Sequence, residues 1–546
     1  MNKPGKKVIL LGNEAIVRGA LESGVQFVST YPGTPASEIG DVFFEIAPKT
    51  GVTFEFSTNE KVAMEAGVGA SYSGLKTLVA MKNFGLNVAS DALLPFAYTG
   101  SVGPTVIIVA DDPSCHSSAQ SEENSRSFAY LAHLPVLEPS DPQECKDFTK
   151  LAFQISQKHQ IPVIVRTTTR VAHQKMPVVL GKLARTVLAN GKFVKDVRKF
   201  VTLPPRVLEM KQELLEKIKK IKDFSEKSGI NKIENWKLEI ENCGTGIITS
   251  GVPYLYVREA LKELKLDLPV LKIGFFYPLP EKKIQSFLRN LKKVLVVEEL
   301  EPYLEKEVER LAKNINCQLQ IAGKELLPEV GELKPEYVAS AIAKLVNRKL
   351  EIRNLKLEIP VPRRSPILCP GCPYWLVISA IKKAVDVNQV IFGGEIGCYM
   401  LFGNSPINLQ DYLSCMGSSV GIGHGIKKAV GGKQKLIAFV GDSSFFHAGI
   451  PPLINTVFNK SNPLIIILNN QTTAMTGHQP HPGAPVTPNN INIENIVRAC
   501  GVKYVKTIDQ TNQEELIKTI REFLERDEVS VIVANRPCIF VAKKTK

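Results

Sequence analysis

The chain has 546 residues, 44% hydrophobic but only 7% aromatic, and a formal charge of +14 from 68 Lys and Arg against 54 Asp and Glu. That length exceeds what one core usually holds, so two to four domains are predicted, and no run approaches the roughly 18 uninterrupted apolar residues of a membrane span. The basic excess is scattered, part of it along MKQELLEKIKKIKDF (210–224), which argues for a solvated helix face over a nucleic-acid surface, with an acidic protein or a polyanionic cosubstrate as the sharper reading.

The N-terminus, MNKPGKKVILLGNEA, runs straight into a strand-and-turn pattern without a small-residue cleavage site, so a cytoplasmic chain is expected. Ten cysteines in such a chain point to ligands and core thiols, not a disulfide framework. In chain order, KVILLG (7–12), TVIIVADD (105–112), IPVIVRT (161–167), TGIITSG (245–251), KVLVVEE (293–299), LIAFVGD (436–442), PLIIILNN (463–470) and VSVIVAN (529–535) are short apolar runs predicted as buried parallel strands. Stretches between them such as NEAIVRGALESG (13–24) read as helices opened by a turn and closed by Gly. This alternation predicts a multi-domain α/β chain of doubly wound parallel sheets. Composition shifts divide it into an α/β unit over 1–180, a basic helical connecting segment over 181–240, a second α/β unit over 241–345, and a third over 350–546, entered through the Pro/Arg stretch IPVPRRSP (359–366).

The last unit carries the strongest chemical signal. One predicted strand ends in Gly441-Asp442-Ser443 and the next in Asn469-Asn470. Asp442 and Asn470 are 28 positions apart, about one strand-helix-strand unit, so both open on the same sheet edge and could give two hard oxygens to one Mg²⁺. Magnesium held by few protein oxygens implies a diphosphate ligand; Gly441 lets the backbone approach it, and the helix that follows offers its N-terminus. Asp442 as a plain helix N-cap is the competing reading. The polar loop TTAMTGHQPHPG (472–483) has the character of a ligand loop, and GSSVGIGHG, from Gly417, opens a helix with small residues suited to packing on a cofactor. Cys369 and Cys372, in LCPGCPYW (368–375), form a C-x-x-C open to three readings: half of a metal or cluster site, a redox pair, or two small buried residues.

GDS followed after 25 residues by NN, with CPGCP, EIGCY, MTGHQPHPG, YPGTP (31–35), STNEKVAMEAGVGASYSGL (57–75) and DDPSCHSS (111–118), resembles the α subunits of indolepyruvate:ferredoxin oxidoreductases, within the thiamine diphosphate-dependent 2-oxoacid:ferredoxin oxidoreductase family. The resemblance covers nearly the whole chain and is least distinctive over 181–240. It implies a transketolase-like fold: a pyrimidine-binding domain (1–180), a transketolase C-terminal-like domain (241–345) and a diphosphate-binding domain with cluster cysteines (350–546). It implies that Asp442, Asn470 and the carbonyl of Thr472 hold Mg²⁺, and that Gly441, Ser443, Gly417 and His478 line thiamine diphosphate. Glu60 would be the desolvated carboxyl against the cofactor's ring nitrogen; without the family it reads as an exposed helix-start acid. Thr34 would contact the 2-oxo acid. Arg126 would meet its carboxylate through a bidentate fork; the bland alternative is a surface Arg. His478 and His481 are expected as structural loop histidines, because Pro480 prevents a helical H-x-x-H pair.

By the same resemblance Cys369, Cys372, Cys398 and Cys538 would ligate one four-iron four-sulfur cluster, with a structural zinc as the alternative; the other cysteines default to core or incidental thiols. The implied reaction converts an aryl pyruvate and coenzyme A to acyl-CoA and CO₂, with electrons passing through the cluster to ferredoxin, in a heteromer with a smaller β subunit. Two departures stand out. The chain ends at CIFVAKKTK without the family's C-terminal ferredoxin-like domain, so electrons are expected to leave through a separate ferredoxin-like subunit or directly to a carrier, and Tyr374 stands where the family carries His. The rival readings are a non-redox thiamine decarboxylase or carboligase and a non-catalytic cofactor-bearing subunit.

Overall fold

The computed structural model describes residues 3–544 apart from 185–190, 236–243, 290, 316–318, 349–365, 431–433, 486 and 488. Residues 359–365 of the Pro/Arg stretch therefore lie outside the described residues. The chain forms two compact units, Met1–Leu355 and Lys356–Lys546.

The first unit holds two large sheets among its described residues. Seven strands run in the order Phe275–Tyr277, Val136–Leu137, Val163–Thr168, Thr105–Asp111, Thr77–Lys82, Phe27–Thr30 and Thr53–Phe56, parallel except where the first meets the second. Their cores are Val and Ile buried on both faces, as in Val106–Val109, which suits β-branched side chains to a central parallel sheet. Each such residue contributes about 1.5–3 kcal/mol of burial. Five strands make the second sheet: Gln320–Ala322, Lys293–Val297, Thr245–Ser250, Val270–Ile273 and, antiparallel at the edge, Lys232–Glu234. The helix Arg206–Lys227 buries Met210, Leu214, Ile218 and Ile221 on one face and exposes Lys219, Lys220 and Lys227. The second unit is a six-stranded parallel sheet, ordered Tyr412–Leu413, Val390–Gly394, Lys435–Gly441, Leu464–Asn469, Ser530–Asn535 and Tyr504–Asp509.

Seven of the eight apolar runs singled out in the sequence are parallel strands of these sheets. KVILLG is not. Lys7–Leu11 pairs antiparallel with Lys175–Val179 in a separate two-stranded ribbon, and Ile9 is 69% exposed. A short apolar run has the same composition in a ribbon as in a core strand; only its partner distinguishes them.

Candidate active site

In the second unit the two strand ends meet as their spacing requires. Gly441 stands opposite Leu468 in adjacent parallel strands, so Asp442 and Asn470 emerge at one edge. Asp442 is buried; its Oδ1 accepts from Ser443 N at 2.8 Å and its Oδ2 from Gln471 N at 2.7 Å, which ties it to the turn carrying Asn470 and Thr472. Asn470 Oδ1 accepts from Thr472 N at 3.1 Å. This oxygen-rich corner fits the ligand demands of Mg²⁺. From Asp442 the chain is continuously helical to Phe458, through a π-helical turn at Phe445–Gly449, so a helix N-terminus stands beside the corner. Gly417 supports the π turn. Its φ is +79°, and a Cβ there would lie 2.5 Å from the Ala448 carbonyl carbon, so no other residue fits.

The two loop histidines part company. His481 is buried with Nε2 3.1 Å from Asp442 Oδ2, whereas His478 lies on the far side of the loop, with Nε2 3.6 Å from Cys538 Sγ.

Cys369, Cys372, Cys398 and Cys538, drawn from points up to 169 positions apart in sequence, line one cavity of about 200 Å³ with Tyr374, His478 and Asn470. Burial and the neighbouring thiols push Cys398 up to about 12 and Cys372 to about 11. Among the described residues no three His, Cys, Asp or Glu groups converge tightly enough to hold a single metal ion. The four thiols share the wall of this one cavity, and either a cluster or a structural zinc would draw on them. Tyr374 starts the helix Tyr374–Ala384; its ring packs edge-on against Tyr399 and Phe402, and its hydroxyl donates to the Leu468 carbonyl at 3.4 Å. It is thus a wall between the thiol cavity and the strand end. Of the remaining cysteines that are described, Cys145 is buried and Cys115, Cys415 and Cys500 are free thiols elsewhere.

In the first unit Glu60 is buried at the start of the helix Glu60–Tyr72, whose N-cap Asn59 accepts from Val62 N at 2.9 Å. Gly85 makes room for it: a Cβ there would stand 2.6 Å from Glu60 Cγ. Thr34, half-buried in the loop after Phe27–Thr30, follows Gly33, against which the stem of Lys82 packs. Arg126 is not the surface residue of the bland alternative. It is 2% exposed, with Nε and Nη2 donating to both oxygens of Glu138 at 2.7 Å and Nη1 to Glu298 at 2.5 Å. Its fork meets internal carboxylates here, and Glu138 is held down to about 2 by Arg126 and Arg166 against the opposing effect of burial.

Comparison with known proteins places this geometry. The description "Pyruvate flavodoxin/ferredoxin oxidoreductase, thiamine diP-bdg" matches residues 18–218, and "Thiamine pyrophosphate enzyme, C-terminal TPP binding domain" matches 395–534. The indolepyruvate oxidoreductase subunit IorA of Methanothermobacter thermautotrophicus is 44% identical over 98% of this chain and 88% of its own length. That of Pyrococcus horikoshii is 41% identical over 98% and 86%. The chain belongs to the IorA family of indolepyruvate oxidoreductase subunits. A solved 2-oxoglutarate:ferredoxin oxidoreductase from Magnetococcus marinus, with 2-oxoglutarate, coenzyme A and succinyl-CoA bound, shares the fold, with a TM-score of 0.51 and 20% identity over 62% of this chain and 65% of that one.

Two groups of this IorA-family chain escaped the sequence reading. Glu395 is fully buried beneath the corner; Tyr399 Oη donates to it at 2.6 Å and accepts from Gly441 N at 2.8 Å. Burial pushes Glu395 up to about 8, which favours its protonated form, and through Tyr399 it braces the Gly441 turn. Its signal was an acid set in the otherwise apolar, Gly-rich FGGEIGCY (392–399). Lys82 is the other; nothing in its local pattern separates it from a surface lysine.

Proposed function

We propose that the chain is the cofactor-bearing subunit of an aryl-pyruvate (indolepyruvate):ferredoxin oxidoreductase, working in the cytoplasm with a smaller β subunit. The observation that carries this reading is the sharing of Asn470. Its side chain belongs to the Asp442 corner, while its carbonyl accepts from Cys538 N at 2.9 Å and the residue lines the thiol cavity. A carbanion-forming cofactor and an electron acceptor would stand on either side of one residue. The four thiols have no task in a non-redox thiamine enzyme, so that alternative is disfavoured.

Asp442, Asn470 and the Thr472 carbonyl would hold Mg²⁺, and the N–H groups opening the helix at Asp442 would face the diphosphate. Cys369, Cys372, Cys398 and Cys538 would hold one four-iron four-sulfur cluster. When bound, thiamine diphosphate supplies the electron sink for loss of CO₂, and the cluster takes the resulting electrons singly. Glu60 would share a proton with a cofactor ring nitrogen, its burial keeping water from competing. Thr34 would orient the substrate, and coenzyme A would carry off the acyl group. Among the described residues no helix is long and apolar enough to cross a membrane. The test is anaerobic purification with the β subunit, then iron, acid-labile sulfide and coenzyme A-dependent reduction of a viologen dye by indolepyruvate. About four irons per chain and dye reduction support the reading; thiamine-replete, iron-free protein that releases CO₂ overturns it.

A further inference from the structure

Arg126 meets Glu138 and Glu298, and the first unit carries a second cation, Lys82, whose stem lies against the loop of Thr34 and whose charge is felt at Glu60. Lys82 closes the strand Thr77–Lys82 at the carboxyl edge of the parallel sheet, where such sheets bind ligands, and immediately precedes the helix Asn83–Thr99. Its stem lies against Gly33, the neighbour of Thr34; a Cβ on that glycine would be 2.9 Å from Lys82 Cγ. Gly85, three residues on, packs on Glu60, which puts the lysine and the cofactor-side carboxyl at one helix start.

Lys82, itself half-buried, differs from the buried cations of this unit. Arg126, Arg166 and Lys272 each meet a carboxylate directly. The hydrogen-bond acceptors of Lys82 among the described residues are neutral: Ser118 Oγ at 2.9 Å and the Ser117 carbonyl at 3.2 Å. Asp112 stands one hydroxyl removed, its Oδ2 accepting from Ser118 Oγ at 2.8 Å and Ser117 N at 2.7 Å. The Phe84 ring covers another side, 4.8 Å from Nζ. Burial outweighs the pull of Asp112 and Glu60 and lowers the ammonium below the usual lysine value, as for a cation short of a counter-ion. Beside it Asn83 is 1% exposed, with neither its amide nitrogen nor its oxygen hydrogen-bonded. The serines are fixed by a clamped loop: Ser114 Oγ accepts from Glu332 N at 2.7 Å, and Glu122 accepts from Gly331 N at 3.0 Å.

We infer that Lys82 binds the carboxylate of the 2-oxo acid, at the opening of the helix Asn83–Thr99, and so selects acids over neutral carbonyl compounds. This rests on the aryl-pyruvate reading above. The test uses the chain assembled with its β subunit. Calorimetry compares 3-phenylpropionate, an inert carboxylate, with 3-phenylpropionamide on wild type, Lys82→Met, which keeps the stem on Gly33, and Lys82→Arg. Wild type is expected to prefer the acid by about 30-fold, the order of one charge-assisted hydrogen bond. Lys82→Met should abolish that preference and Lys82→Arg should keep most of it, while the KM for indolepyruvate rises by a similar factor in Lys82→Met with kcat changed by less than about threefold. An acid preference that survives in Lys82→Met, a wild type without one, or a loss confined to kcat overturns the inference. A Lys82-dependent acid preference in protein that does not oxidise indolepyruvate would overturn the functional reading and leave the role of Lys82 standing.

Discussion

Replacing Gly85 by Ala tests whether Glu60 is the carboxyl that matters, without touching Glu60. The added Cβ would stand 2.6 Å from Glu60 Cγ and 2.9 Å from its Oε1, where ordinary contact begins near 3.4 Å. The carboxyl must retreat by roughly 1 Å, and a misplacement of that size costs about 100-fold in rate, or about 2.7 kcal/mol of transition-state stabilisation. Gly85 sits in the first turn of the helix Asn83–Thr99 and is not among the glycines with positive φ. Ala is there favoured by up to about 1 kcal/mol, which offsets part of the crowding against Glu60 and against Met81 Cβ, 2.9 Å from the added Cβ, and thermal unfolding separates a loss of activity from a loss of fold. The assay is kcat/KM for indolepyruvate in the assembled enzyme, with thermal unfolding alongside, for Gly85→Ala, Glu60→Gln and the double variant. The double variant should be no worse than Glu60→Gln, because both changes remove the same contact. Wild-type kcat/KM in Gly85→Ala, or full additivity in the double variant, refutes the assignment of Glu60.

Cys398→Ser should reduce iron from about four per chain to below about one and bleach the visible band while secondary structure persists; retention of all the iron would refute the ligand set. Arg126→Met should destabilise the first unit by about 3–5 kcal/mol, because Glu298 loses its buried arginine and Glu138 keeps only Arg166; unchanged thermal stability with a raised KM would assign it to the substrate instead. Glu299 is buried and pushed up to about 7, above its ordinary unfolded value, so the folded state holds its proton more tightly. Stability from this group is therefore lost as pH climbs from about 4.5 through 7, by about 3 kcal/mol in all. Glu299→Gln should stabilise the first unit at pH 8 and not at pH 5; equal shifts at both pH values would show that Glu299 is already ionised.

The parallel strands of both units could be read from composition, since a strand covered on both faces must be continuously apolar. The Asp442–Asn470 pairing was also legible, because one strand-helix-strand spacing brings consecutive strand ends to the same edge. The cysteines were legible only as a set: Cys369 and Cys372 announce themselves through a tight turn, but Cys398 and Cys538 join them by way of the family pattern and the folded sheet. Local sequence carries no mark of which partner a side chain will find. KVILLG has the composition of a core strand and lies in an exposed ribbon because its partner is Lys175–Val179. His478 and His481 sit three positions apart in one loop, yet one turns to a thiol and the other to Asp442. The sequence did not show that the fold would bring Glu138 and Glu298 to Arg126, and nothing local marks Lys82, whose stem lies against Gly33 and whose ammonium stands 4.8 Å from the Phe84 ring. Periodicity and spacing are properties of the chain, so sequence determines the strands and the ligand order. The charge balance around a buried cation depends on residues far apart in sequence, and only the tertiary structure decides it.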